Sequence, residues 1–140
     1  KEGTVLPEPL IRDAKTARKL FPDKKLIVHF MQPHYPFVNS DTTKEGIRKD
    51  LDGDKTSESV WEEAEAGKYL TSEVWVAYRQ CLEFILDDIS ELTQELQGKT
   101  VITSDHGNLV GEKGFYGHSL NYPAEALRKV PWDVIEEEKQ

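Results

Sequence analysis

Two periodicities alternate along the chain. Over residues 9–20, apolar side chains stand at Leu10, Ile11, Ala14, Ala17 and Leu20, the three- and four-residue steps of a short helix with one buried stripe. Pro9 is tolerated in its first turn, and Phe21, Pro22 and Asp23 break it. Over residues 71–97 the same steps recur through Val74, Tyr78, Cys81, Leu82, Ile85, Ile89, Leu92 and Leu96, predicting a long amphipathic helix that Gly98 ends. Elsewhere the apolar positions come in short runs. Residues 25–31 (KLIVHFM) read as a buried strand, stopped by Pro33 and Pro36 because proline cannot donate to a ladder. Residues 100–104 (TVITS) read as a second strand, and residues 4–6 and 129–134 are candidates for others.

Strand, long connection, helix, strand is the grammar of a parallel crossover, so the expected class is α/β, a sheet with flanking helices. Two clear strands are few for such a sheet, which usually has about 4–6. The expectation is therefore that residues 1–140 form part of a larger α/β domain. A sheet cut in this way exposes an edge and apolar surface, which predicts self-association. Residues 39–59 are polar, with Gly46 and Gly53, and read as an exposed loop or insertion. The acidic DLDGD at 50–54 is not an EF-hand: counted from Asp50, Gly53 falls at the wrong position and Trp61 stands where a glutamate is needed.

Charge narrows the function classes. Lys and Arg number 18 against 26 Asp and Glu, a net charge of −8, with a pI near 5.0. That balance argues against nucleic-acid binding, which needs clustered cations. The acid excess sits in residues 41–68 and 133–140, two solvated segments rather than an acidic site. The single cysteine, Cys81, excludes an internal disulfide and a cysteine-based zinc site. Its place on the helix stripe assigns it to core packing. No apolar run approaches the ~20 residues of a membrane span, and no secretory signal is visible, which leaves the compartment open with the cytoplasm slightly favoured.

The chemistry concentrates at the strand ends. His29, His34, His106 and His118 all fall at or just beyond the two strands, where ligands bind in open α/β sheets. His29, flanked by Val28 and Phe30, reads as a core histidine. His34 lies in a loop stiffened by prolines. Asp105 and His106 leave residues 100–104 directly and offer one oxygen and one nitrogen, a mixed donor set that suits a divalent cation. Gly107, Gly111, Gly114 and Gly117 then lead to His118.

Residues 29–37 (HFMQPHYPF) resemble the sulfatase segment that supplies a substrate-facing histidine. TSDHG at 103–107, GEKGFYGH at 111–118 and the tail of Tyr122, Glu125, Arg128, Val130 and Pro131 resemble the metal-binding C-terminal part of the alkaline phosphatase and sulfatase superfamily. The likeness spans about residues 26–132 and implies a partial alkaline-phosphatase-like sheet and metal-dependent hydrolysis of a small sulfate or phosphate ester. It implies that Asp105 and His106 face the metal. It gives His34 contact with the transferred group or the leaving oxygen. His118 takes a position held by Lys in many sulfatases and by His in relatives, ligating a second metal or hydrogen-bonding the transferred group. Asn108 stands where the family commonly has Glu.

The implied ion is calcium or magnesium, or zinc or manganese given two histidines, and weak or absent here because about half of the family's ligands are missing. No C-x-P-x-R nucleophile motif occurs. The resemblance therefore implies an N-terminal half of the domain as partner, and a chain inactive alone. A phosphodiesterase or phosphotransferase of the same superfamily shares these residues. A non-catalytic interaction domain is the competing reading, and it predicts histidines scattered over the surface.

Overall fold

A computed structural model describes residues 4–35, 37–38, 59–118 and 122–136 of the chain. The loop expected at 39–59 lies outside these residues except for Ser59.

The first helix, α1 (Pro7–Leu20), has proline in its opening turn, Glu8 near its N-terminus and Arg18 and Lys19 near its C-terminus, charges that complement the backbone dipole. It starts two residues before the predicted Pro9. Arg18 fixes its end by donating from Nη1 to the Pro22 and Lys24 carbonyls, at 2.9 and 3.2 Å, and from Nη2 to that of Gln97 at 3.3 Å. Helix α2 (Val60–Glu65) opens with a capping box in which Ser59 accepts from the Glu62 N–H and the Glu62 carboxylate accepts from the Ser59 N–H.

The long helix is α3 (Thr71–Glu95). Val74, Ala77, Cys81, Ile85 and Leu92 form its buried stripe, and Gly98, with φ of 88°, turns the chain beyond it. The stripe's upper half packs with Phe37, Val38, Val60, Trp61 and Ala64 in one core. Burying a side chain such as Phe37 stabilises by roughly 1.5–3 kcal/mol.

Strand β1 (Thr100–Thr103) follows, then the short β2 (Leu109–Val110) and β3 (Tyr116–Gly117), joined by a 3₁₀ turn at Glu112–Gly114. Helix α4 (Glu125–Arg128) leads into β4 (Trp132–Ile135), which fulfils the expectation of a strand near residues 129–134. Both ladders are antiparallel, β1 with β4 and β2 with β3. The chain is thus mixed helix and strand, but the described residues hold no parallel crossover.

The reason lies in residues 25–31. They are extended, with Leu26, Val28 and Phe30 half-buried and Ile27, His29 and Met31 exposed, yet they join no ladder. Ile27 is 91% exposed, so the buried strand expected here is not formed. A strand needs a partner backbone, and β1 gives its hydrogen bonds to β4 instead. Residues 4–6 likewise form no strand. No helix among the described residues is long and apolar enough to cross a membrane.

Candidate functional site

Two bends supply the site. The first ends the extended segment. His34 N–H donates to the Met31 carbonyl at 2.9 Å, closing a tight turn. Buried Gln32 donates from Nε2 to the Val5 carbonyl at 3.0 Å, pinning the bend to the chain before α1. The His34 ring stacks on Tyr35, with centroids 4.6 Å apart, and Tyr35 meets Trp61 edge-on at 6.3 Å. An imidazole on a proline-flanked loop is in this way held by the aromatic core beneath it.

The second bend leaves β1. Ser104 Oγ donates to the His106 carbonyl at 3.2 Å, and Asp105 Oδ1 accepts the His106 N–H at 2.9 Å. Gly107 N–H donates to the Leu127 carbonyl at 3.1 Å, seating the loop on α4. A Cβ on Gly107 would lie 1.9 Å from the Ala126 carbonyl oxygen, so only glycine permits this approach. Gly117, with φ of 71° and the Trp61 ring 3.0 Å from where a Cβ would stand, delivers His118 from the end of β3.

The bends converge. The His106 and His118 ring centroids are 4.3 Å apart, and those of His34 and His118 are 6.3 Å apart. Asp105 Oδ2 lies 3.7 Å from His106 Nε2. All four candidate residues therefore share one region of the surface. His29 joins them, with its Nε2 4.0 Å from Asp105 Oδ2, and its side chain is 73% exposed. The expectation of a core histidine is overturned, because successive side chains of an extended segment point to opposite faces. Val28 and Phe30 describe the face His29 does not occupy. Cys81 is fully buried as expected, and burial pushes its thiol up to about 11, which keeps it protonated and inert.

Hydrogen bonding fixes the imidazoles. Nδ1 of His34 donates to the Tyr35 carbonyl, that of His106 to the Gly107 carbonyl at 2.9 Å, and that of His118 to Asn108 Oδ1 at 2.9 Å. Asn108 is held in turn by donating from Nδ2 to the Tyr78 hydroxyl at 3.4 Å. With Nδ1 committed, a neutral ring presents its lone pair at Nε2, the form that ligates a metal or accepts a proton. Nothing in the sequence motifs singled out Asn108 or Tyr78 for this positioning.

For His118 the electrostatics agree with that form. Burial, then the neighbouring His106 and His34, hold His118 below the ordinary histidine range, against a weaker opposing pull from Asp105. Partial burial raises the Asp105 carboxyl, but the His106 N–H and the imidazoles of His106 and His29 outweigh it and leave Asp105 below the ordinary aspartate range.

One carboxylate and several Nε2 atoms are the donor types a divalent ion accepts, so the chemistry of the set fits a metal. Among the described residues, however, no three His, Cys, Asp or Glu side chains already stand at the distances a bound ion requires. In the expected tail, Tyr122 lies against Phe115, with centroids 4.6 Å apart, and Glu125, the first residue of α4, pairs with Lys129 just beyond its end at 3.6 Å. A cavity of about 160 Å³ between α1 and residues 24–26 is walled by Ala17, Phe21 and the carbonyl-bound Arg18, away from this chemistry. Comparison of the chain with protein-family models, with curated proteins and with solved structures finds no match.

Proposed function

We propose that this chain supplies part of the metal and substrate site of a sulfatase-like enzyme that hydrolyses sulfate or phosphate esters, and that it is inactive without the rest of an alkaline-phosphatase-like domain. One observation carries the reading: His34 and the Asp105–His106 pair, 71 residues apart in sequence, open onto one region with His118 between them. An interaction domain with incidental histidines gives no reason for that convergence.

A divalent ion bound by Asp105 and His106 would stabilise charge on the ester oxygens. His34 exchanges protons at Nε2, because its Nδ1 is held by a carbonyl, and in its protonated form it donates to the leaving oxygen. His118, kept neutral, offers a lone pair rather than a donor, which favours ligation over hydrogen-bonding the transferred group. Asn108 and Tyr78 orient it.

The test is turnover of 4-nitrophenyl sulfate and 4-nitrophenyl phosphate by the full-length natural protein. Substituting His34→Ala or Asp105→Ala is expected to lower kcat/KM by roughly 10²–10⁴. Unchanged turnover in both variants would overturn the assignment.

A further inference from the structure

The turn that leaves α1 is both fixed in shape and open to solvent. Residues 18–25 read RKLFPDKK, four cations against the single acid Asp23, in a chain whose net charge is −8. Lys24 N–H donates to the Phe21 carbonyl at 3.1 Å, and Arg18 clamps the carbonyls of Pro22, Lys24 and Gln97. Every residue from Lys19 to Lys25 is exposed. Leu20 and Phe21 are 67% and 58% exposed, although Leu20 belongs to the predicted helix stripe, and Ile27 follows at 91%.

The charge of this tip is not neutralised from within. Arg12, Lys15, Lys68, Arg79, Lys99 and Lys129 each pair with a carboxylate. Among the described residues, no carboxylate pairs with Arg18, Lys19, Lys24 or Lys25. The tip therefore sets two large apolar side chains among four cations that the fold leaves unanswered.

We propose that this tip docks the protein on an anionic lipid surface. Leu20 and Phe21 enter the boundary between headgroups and acyl chains, and Lys19, Lys24 and Lys25 face the acidic headgroups. Leucine and phenylalanine beside lysines are the composition of an interfacial membrane segment, whereas the cores of protein–protein interfaces deplete lysine in favour of Tyr, Trp and Arg. The lysine stems span the difference in depth, their methylenes lying along the apolar side chains while the ammonium groups reach the phosphates. Salt confines the attraction to about 8 Å at physiological ionic strength. An acidic chain is repelled by an anionic surface as a whole, so the attraction acts through the tip alone and selects the end of α1 that approaches. One short tip gives reversible adsorption and needs no membrane-spanning helix. The histidine cluster takes no part in this contact, which is therefore independent of the ester-hydrolase reading.

The test is co-sedimentation of the full-length natural protein with vesicles of about two-thirds phosphatidylcholine and one-third phosphatidylserine, against vesicles of phosphatidylcholine alone. The expected result is binding to the mixed vesicles, little to the neutral ones, and release by about 0.5 M sodium chloride. The double variant Lys24→Glu/Lys25→Glu should weaken binding roughly 25-fold or more, because each cation near the surface is worth about a factor of five. Leu20→Ser/Phe21→Ser should weaken it roughly tenfold or more. All four positions are exposed, and circular dichroism verifies that the variants fold. Failure to sediment with the mixed vesicles, equal binding to neutral vesicles, or undiminished binding in either double variant each overturns the docking surface. Capture of soluble polyglutamate that Lys24→Glu/Lys25→Glu abolishes, without sedimentation on mixed vesicles, assigns the tip to an acidic protein and removes the lipid reading.

Discussion

Replacing Gly107 by alanine probes the contact that seats the acid–imidazole loop on α4. The added Cβ would stand 1.9 Å from the Ala126 carbonyl oxygen, and ordinary contact begins at 3.4 Å, so loop and helix must separate by about 1.5 Å. That movement breaks the 3.1 Å bond from Gly107 N–H to the Leu127 carbonyl, worth about 1 kcal/mol. Overpacking of this kind costs a further ~1–3 kcal/mol. Gly107 is not among the residues with positive φ, so alanine meets no backbone strain there and gains about 0.4–1 kcal/mol from a less flexible unfolded chain. The balance is a destabilisation of about 1–4 kcal/mol, centred near 2.

Gly98→Ala is the matched control. Its φ is 88° and nothing lies within 4 Å of its Cβ, so only left-handed strain of about 1–2 kcal/mol applies. Urea unfolding followed by tryptophan fluorescence should show G107A with the lower midpoint. A cost in G107A of less than about 0.5 kcal/mol, or one smaller than in G98A, would refute the steric argument. The nuclear Overhauser contact between the His106 and His118 rings should also weaken in G107A and persist in G98A.

Other outcomes follow from the same structure. Ile85→Ala, at a position only 1% exposed, should cost about 2–5 kcal/mol by urea unfolding while leaving the histidine ring signals in place. Cys81 should resist a disulfide-exchange reagent at pH 8 in the native protein and react on unfolding. Its thiol ionises in the unfolded chain near 9 but only near 11 when folded, so stability should fall as pH rises through that window. His118 should titrate below the ordinary histidine value by nuclear magnetic resonance. Its folded form resists protonation more than its unfolded form does, so its contribution is present above the unfolded value and lost as pH falls through the folded one.

Both longer helices were readable from spacing, but the stripe predicted for α1 is buried only at Ala14. Leu10, Ile11 and Ala17 are half-buried and Leu20 is 67% exposed, whereas α3 buries more of its own. Val74, Cys81, Ile85 and Leu92 are buried as their three- and four-residue steps require. Ile89 and Leu82 on the same stripe are only half-buried, since the core touches one side of α3 more than the other. The extended segment was less readable. Composition told that residues 25–31 are extended, but a ladder is a relation between two backbones, and no local pattern names the partner. The same segment misled on His29: its neighbours in sequence are apolar, while its neighbours in space are Ile27 and Met31 on the exposed face and Asp105 beyond. The strand-end rule suits Asp105 and His106, which follow β1, and His118, which follows β3, because chain leaving a strand must turn and expose polar groups; His34 instead follows an extended segment outside any ladder. The rule had nothing to say about Asn108 and Tyr78, whose function depends on tertiary proximity alone.

Strand β4 contributes no candidate side chain, yet it governs where the acid points. Thr103, the last rung of β1, is paired with Trp132 and bonded through Oγ1 to the Pro131 carbonyl at 2.7 Å, and Asp105 follows two residues later. A slip of one residue would turn every β1 side chain to the opposite side, and with it the exit direction of the chain toward His29. An insertion or deletion at residues 129–131 would thus disarm the acid from a distance, as a mis-set ratchet tooth misaligns a hand it never touches.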